Sequence, residues 1–455
     1  MIKNKIALIS PLQISACLVI GSLTIILAYI NRTNGAVSLF FDKSDTYMDL
    51  VNTIFDSCRP DAYTSLGNIY PPALMSLLHI IFKSACNEGL ATAKQLRTEI
   101  LGALMFIHFM LIFLSGIMLG GITWTLRKNR TITCVAAIIG SIWPPLVFGI
   151  DRMNLILVPY FILLLSVLVS LSPARQDKEK LALWNAWIYW SILLAVLVKP
   201  YFIVTYGLIF IADSLRCRGI TSARCILVLK YGLGLVIILL INMQPFIAGT
   251  YDGGIGLWLN NLLNFQGIVS SNASHTWNMN YYSLSAFAAS KLVPAANMPE
   301  FLNHPVIGNN LLTVTIGLTI QLIFSVLLIS HLAKLIRFSY LQRNTHQAST
   351  RIITETSIIA LSIVIMSSIL TSFGYYAGIF WVIVSVNSLC LGNKEECTII
   401  SILSLLFMAL SSSGTSIWPS SSIPASTCLY VLMLFSSSTI IHRIDLNAAH
   451  SRPAK

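Results

Sequence analysis

Charge is what this chain has least of. Only 10% of its residues are Asp, Glu, Lys or Arg, against about 25% in an ordinary soluble domain. A chain this poor in charge cannot cover a water-facing surface, and 56% of it is hydrophobic. That excludes a soluble globular class and leaves an all-α polytopic membrane protein, because lipid offers no partner to an open backbone. Acids are scarcer still, 17 against 29 Lys and Arg, for a net charge of +12. Such an excess can signal nucleic acid, but here the basic residues gather between apolar runs, the habit of cytoplasmic loops, and no nucleic-acid partner is expected. A Walker-type phosphate loop, a dinucleotide glycine fingerprint, zinc-like Cys/His spacing and internal repeats are all missing from the sequence. With no soluble domain either, the chain has no place for a nucleotide sugar, so any sugar donor should be lipid-linked. A cleavable signal is missing too. Lys3 and Lys5 precede an apolar stretch from Pro11 to Ile30, long enough to cross about 30 Å of hydrocarbon and read as a retained anchor.

What is there in abundance is apolar length. Windows separated by charge give about twelve transmembrane helices, at 11–30, 100–126, 131–150, 154–172, 183–199, 201–215, 225–248, 309–333, 352–371, 376–392, 398–413 and 423–441. With the N-terminus placed in the cytoplasm and the spans alternating, 20 of the 29 basic residues fall on the cytoplasmic side, and six of the rest lie in a first external loop too long for the charge rule to bind. The expected topology is N-in, C-in, in one transmembrane domain that covers the whole chain.

Two external segments are long, at 31–99 and 249–310. The first carries Phe41 to Asp56, a stretch holding four of the chain's acids. Read as one helix, Asp42, Asp45, Asp49 and Asp56 fall at offsets of three, seven and fourteen and share a face. Downstream come Tyr70-Pro71-Pro72, suited to a helix start, and an apolar run from Ala73 to Ala85, too short to span and read as a re-entrant or interfacial helix. The second segment holds Tyr251-Asp252-Gly253-Gly254 and a polar aromatic patch from His275 to Ser283.

Seven of the nine cysteines (Cys17, Cys134, Cys217, Cys225, Cys390, Cys397 and Cys428) fall in expected spans or cytoplasmic loops, where they act as small apolar residues. Cys58 and Cys86 are both in the first external loop, and on an oxidising side they are candidates for a disulfide.

The chemistry-bearing candidates follow from this layout. Carboxylates where membrane meets water can take the proton of an acceptor hydroxyl while a lipid-linked donor stays in the bilayer. Asp45 and Asp49 are the candidate bases, and Asp42 and Asp56 are read as structural. At i and i+4 the two candidates could share a divalent cation, but two carboxylates are too few to assert a metal site, and no cofactor is assigned. Tyr70 sits by the Pro pair. In Ile150-Asp151-Arg152-Met153-Asn154, Arg152 either pairs with Asp151 or, with Asn154, contacts a phosphate or sugar. Lys199, before Pro200, either snorkels or offsets the charge of a leaving phosphate. His275, Trp277, Asn280 and Tyr282 offer aromatic faces and hydrogen bonds to a sugar, or an interfacial aromatic belt.

Taken as a set, Asp45-Thr46-Tyr47-Met48-Asp49, Ile69-Tyr70-Pro71-Pro72-Ala73-Leu74, Gly149-Ile150-Asp151-Arg152-Met153-Asn154 and Val198-Lys199-Pro200 resemble the integral-membrane glycosyltransferases of the C superfamily. They are most like the family 87 polyprenyl-phosphate-sugar mannosyl- and hexosyltransferases. The resemblance covers residues 1–210. It departs from the family pattern in the Asp and Arg inserted in the third motif and in offering two acids where the family uses one principal Asp. It implies a partly helical first external loop and inverting transfer of a hexose from a polyprenyl-phosphate donor to a glycan or glycolipid acceptor. The active site would face the exterior of a bacterial inner membrane, with a loop aspartate as base. A polysaccharide polymerase or ligase is the alternative, although such proteins lean on external arginines, which are few here beyond the first loop. A transporter would show paired repeats, which the sequence lacks.

Overall fold

The computed structural model describes residues 46–87, 92–172, 175–216, 221–262, 311–341, 348–369, 375–412 and 423–450. The first expected span, Asp42, Asp45, His275 and Tyr282 lie outside them.

All regular structure among the described residues is helical. The segment expected as the first external loop contributes α1 (Met48–Ser57), α2 (Pro72–Ile81) and the short α3 (Lys83–Asn87). The following helices are α4 (Ala93–Arg127), α5 (Arg130–Ile142), α6 (Pro144–Asp151), α7 (Leu157–Ser170), α8 (Asp177–Val198), α9 (Ile203–Arg216) and α10 (Thr221–Ile247). After the second external segment come α11 (Leu311–Leu341), α12 (Ala348–Ile369), α13 (Trp381–Leu391), α14 (Lys394–Ser412) and α15 (Ile423–His450). Five described stretches are long and apolar enough to cross a membrane: Ala93–Arg127, Arg130–Asp151, Asp177–Val198, Arg224–Ile247 and Ala348–Ile365. The chain is a helical membrane protein.

Local chemistry explains where these helices start and stop. Thr92 caps α4 in a reciprocal box with Gln95, satisfying amides that the first turn would leave open. Lys128 takes a left-handed conformation at the end of α4, and the Asn129 side chain caps α5, so two residues turn the chain back on itself. Gly140 of α5 lets Leu119 of α4 approach so closely that a Cβ there would lie 2.6 Å from Leu119 Cδ1, the small-residue packing that membrane helices use. The stretch 130–151 breaks at Trp143 because Pro144 drives the preceding residue out of the helical region, and Trp143 is extended there. Its indole donates to the Gly378 carbonyl at 2.8 Å, joining one interrupted segment to another, the 3-10 turn Tyr375–Phe380.

The core runs through α5, α7, α8, α12, α13 and α15 around the fully buried Trp143, Trp184, Tyr160 and Phe380. By contrast, α10 leaves Ile226, Leu229, Leu233, Leu240 and Ile247 exposed, an apolar outer face suited to lipid.

Two groups of charged contacts stand out among the described residues. In one, Arg127 bonds the Gly392 carbonyl, Arg443 pairs with Glu396 at 3.0 Å, and Arg351 bridges Glu355 at 2.7 Å and Asn185 at 2.8 Å. In another group, α1, α2 and the segment between them bond Arg152, Asn154, Lys199 and residues 242–261.

Candidate functional site

The site is built where α1 meets the break between α6 and α7. Tyr47 precedes α1 with φ of 66°, and Met153 in the facing turn has φ of 51°. Both are non-glycine residues in the left-handed region, where such strain persists only if the surroundings enforce it. Here the Tyr47 amide donates to the Asp151 carbonyl at 2.7 Å, and the Asp49 amide donates to the Arg152 carbonyl at 3.2 Å. The left-handed Tyr47 also corrects the single-helix reading of the acidic stretch. The helix that carries Asp49 and Asp56 begins at Met48 and does not run back through Tyr47, because its first amides are committed to the facing turn.

Asp49 lies in the first turn of α1. Its Oδ1 accepts from Arg152 Nε at 2.9 Å and Nη2 at 2.7 Å, and its Oδ2 accepts from Asn154 Nδ2 at 2.7 Å. Both carboxylate oxygens are thus oriented by side chains about a hundred residues away in sequence. The Arg152 and Asp49 side chains are 12% and 16% exposed, a half-dry setting in which charge-assisted bonds are strong. Asn154 is itself fixed, its Oδ1 accepting from the Ile156 amide at 3.0 Å. Between the two sequence alternatives for Arg152, the structure shows it reaching across to Asp49. The loop is held from a third side by Arg97, which donates to the Thr46 carbonyl at 3.4 Å.

A second group forms around Tyr70. Lys199 Nζ donates to the Tyr70 hydroxyl at 3.1 Å and lies 4.2 Å from the centre of its ring, a cation–π contact. The Tyr70 backbone is clamped on both sides: its amide donates to Asn68 Oδ1 at 2.8 Å, and its carbonyl accepts from the Tyr63 hydroxyl at 2.8 Å. Asn68 in turn donates to Asp56 Oδ2 at 3.2 Å. Burial pushes the Asp56 carboxyl up to about 6, against the opposing pull of Arg59 and the Asn68 hydrogen bond. Arg59 itself forks onto Asp61 at 3.0 and 2.8 Å. One apolar cluster underlies both groups, with Tyr47, Val51, Ile54, Leu104, Met153, Leu155 and Val198 at its centre and Tyr70 packed on it.

Pro72 opens α2 as the Pro pair suggests, and the helical run breaks at Phe82 into α2 and α3. A disulfide joins Cys58, just past α1, to Cys86 in α3, with the Cα atoms 5.2 Å apart.

The end of α10 and the residues just after it cover this loop. Tyr251 donates to the Ser57 carbonyl at 3.0 Å, Trp258 to the Ile69 carbonyl at 3.0 Å and Asn261 to the Tyr63 carbonyl at 2.8 Å. The Asp252 amide donates to the Pro60 carbonyl at 2.8 Å, and Asn242 accepts from the Ala73 amide at 3.2 Å. Gly253 makes this approach possible with φ of 96°, a backbone state that costs glycine little. The sequence reading named Tyr251 and Asp252 with the Asp-Gly-Gly turn but missed Asn242, Trp258 and Asn261.

Among the described residues, no group of three or more His, Cys, Asp or Glu gathers as a metal site. The structure brings Asp49, Arg152 and Asn154 into one cluster and Tyr70 and Lys199 into another. Chemically, the first is an oriented carboxylate beside a guanidinium, and the second is a cation fixed on a phenol. No family model, characterised protein or solved structure matches this chain.

Proposed function

We propose that this protein is an inverting glycosyltransferase that moves a hexose from a polyprenyl-phosphate donor to a cell-surface glycan or glycolipid acceptor. The observation that carries the reading is the Asp49–Arg152–Asn154 cluster at 2.7–2.9 Å, which joins two of the four motifs on which the resemblance rests. The Lys199–Tyr70 contact joins the other two.

In this reading Asp49 is the base. Its carboxylate takes the proton of the acceptor hydroxyl as that oxygen attacks the anomeric carbon from the face opposite the phosphate. The C–O bond to the lipid phosphate breaks, and the phosphate leaves with the electron pair. Arg152 and Lys199 offset the charge that develops on it. Asn154 keeps Asp49 Oδ2 aimed, and Tyr70 keeps the Lys199 ammonium in place. Asp45 remains the second candidate base on sequence grounds. His275 and Tyr282 are retained as sugar-binding candidates on sequence grounds.

The proposed topology has twelve spans, N-in and C-in, in a bacterial inner membrane with the site facing outward. Its support is the segregation of polar contacts. Arg127, Arg351 and Arg443, expected on the cytoplasmic side, bond Gly392, Glu355 and Glu396, whereas α1 and Tyr70 of the acidic loop bond Arg152 and Lys199.

The test is transfer of labelled sugar from polyprenyl-phosphate hexose to membrane acceptors by the wild type, Asp49→Asn and Asp45→Asn. Loss of about 10³-fold or more in one aspartate variant is expected if it is the base. Wild-type rates in both variants overturn the proposal. Transfer of oligosaccharide from a pyrophosphate carrier, with none from the monophosphate sugar, would assign the protein to polymerases or ligases instead.

A further inference from the structure

One buried nitrogen beside the site has no hydrogen-bond partner among the described residues. His108 of α4 is 9% exposed, and its Nδ1 makes no hydrogen bond. The imidazole lies edge-to-face on Tyr47, with 5.8 Å between ring centroids. Along α4 its neighbours on the same side are Leu104, Leu111 and Ile112, all members of the apolar clusters.

Among the described residues the imidazole makes ring contacts with Tyr47 and Phe109, and none of them satisfies its Nδ1. An unpaired buried polar atom costs about 1–3 kcal/mol, which a leucine or phenylalanine among these neighbours would not incur. An ionisable side chain inside a spanning helix is an added cost and by default marks a functional position. The position is also next to the site. Tyr47, against which the imidazole rests, is held in its left-handed conformation by the Asp151 carbonyl and stands two residues before Asp49. Met153, the strained residue of the facing turn, shares an apolar cluster with Tyr47 and Leu104. On α4, His108 lies three turns beyond Arg97, the residue that reaches the Thr46 carbonyl, or about 16 Å farther along the helix. The orphan nitrogen therefore lies on the stretch of α4 that packs against Tyr47, beside the junction that carries Asp49, Arg152 and Asn154.

We propose that His108 is a ligand-contacting residue of this site and that its Nδ1, in the tautomer protonated there, donates a hydrogen bond to a phosphate oxygen of a lipid-linked ligand. In the glycosyltransferase reading, on which only the identity of the ligand rests, that phosphate belongs to the polyprenyl donor. The isoprenoid would lie along the apolar flank of α4, and the phosphate would lie between His108 and Arg152. The nitrogen stays unpaired until the ligand arrives, so its desolvation cost falls on the empty protein and its hydrogen bond on the complex.

The experiment compares wild type, His108→Phe and His108→Asn in phosphatidylcholine nanodiscs. Each is titrated with a short-chain polyprenyl monophosphate without sugar, with phosphatidic acid and with inorganic phosphate, and the unfolding temperature is measured without ligand. Polyprenyl phosphate is expected to bind the wild type and to bind His108→Phe about ten- to a hundredfold more weakly, the value of one hydrogen bond to a charged group. His108→Asn, which keeps an N–H donor near the Nδ1 position, is expected to retain most of the affinity. The unliganded Phe variant should be at least as heat-stable as the wild type. Equal weakening for phosphatidic acid supports the phosphate contact and assigns it to a bulk lipid headgroup. Unchanged binding of polyprenyl phosphate by His108→Phe overturns the His108 assignment alone. So does loss of binding and of heat stability together in both variants, which marks a packing role. A wild type that binds none of the three probes overturns the ligand assignment and the glycosyltransferase reading together.

Discussion

Asp49 and Arg152 provide the sharpest test of how the site is assembled, because each is the other's charge partner across two separate segments. Removing one member of a nearly buried pair leaves the other uncompensated, which costs about 3–5 kcal/mol when both are fully buried. Here the side chains retain 12% and 16% exposure, so about 2–3 kcal/mol is the expected loss for Arg152→Met or Asp49→Leu alone. The double variant removes both charges and leaves Asn154 Nδ2 as the one donor without its acceptor. Its loss should be about 3 kcal/mol rather than the sum of the two, for a coupling of about 2 kcal/mol. The assay is thermal unfolding in detergent followed by tryptophan fluorescence, where about 2 °C corresponds to 1 kcal/mol in a large chain. The single variants should unfold about 5 °C lower, and the double variant only slightly below either. Additive losses would refute the reasoning, since they would mean that each side chain acts through other contacts. A Tyr47→Gly control, which relieves the left-handed backbone, should leave the coupling intact.

Two further predictions concern the loop. Asp56 is held with its carboxyl at about 6 by burial, above the roughly 3.9 of an unfolded chain, so the folded state binds the proton more tightly. Stability therefore falls as pH rises from about 4 to about 6. Above that window the charged carboxylate costs about 1–2 kcal/mol once its partial exposure is allowed for. Asp56→Asn, which keeps an acceptor for Asn68, should unfold a few degrees higher than wild type at pH 7.5 and at the same temperature at pH 4; an advantage independent of pH would refute this cause. Cys58 and Cys86 close a loop at a separation of 28 residues, for which chain entropy gives about 3–4 kcal/mol. Cys58→Ser with Cys86→Ser, or reductant on the wild type, should lower the unfolding temperature by several degrees and expose the 60–85 segment to protease.

How much of this was legible in the sequence differs between helices and site, for a physical reason. The helical membrane class follows from apolar length and scarce charge, one-dimensional properties that the folded chain does not alter. The helix at Pro72 was equally local, since proline acts on its own turn, whereas the break at Trp143 inside the expected span 131–150 was missed, although Pro144 acts on the residue before it. Tyr47 was not legible. Nothing in Thr-Tyr-Met announces a left-handed residue; the Asp151 carbonyl imposes it from far along the chain, and the helical face drawn through Asp42, Asp45, Asp49 and Asp56 fails at that point. Arg152 shows the same limit from the other side. Its nearest acid in sequence is Asp151, yet the guanidinium reaches Asp49, about a hundred residues away. His108 could not be singled out at all, because a histidine in an apolar run is unremarkable until the missing partner of its Nδ1 is seen. The residues that the sequence names carry conspicuous charge. The ones it misses are defined by what lies opposite them, and in this protein the candidate site is made almost wholly of such pairings.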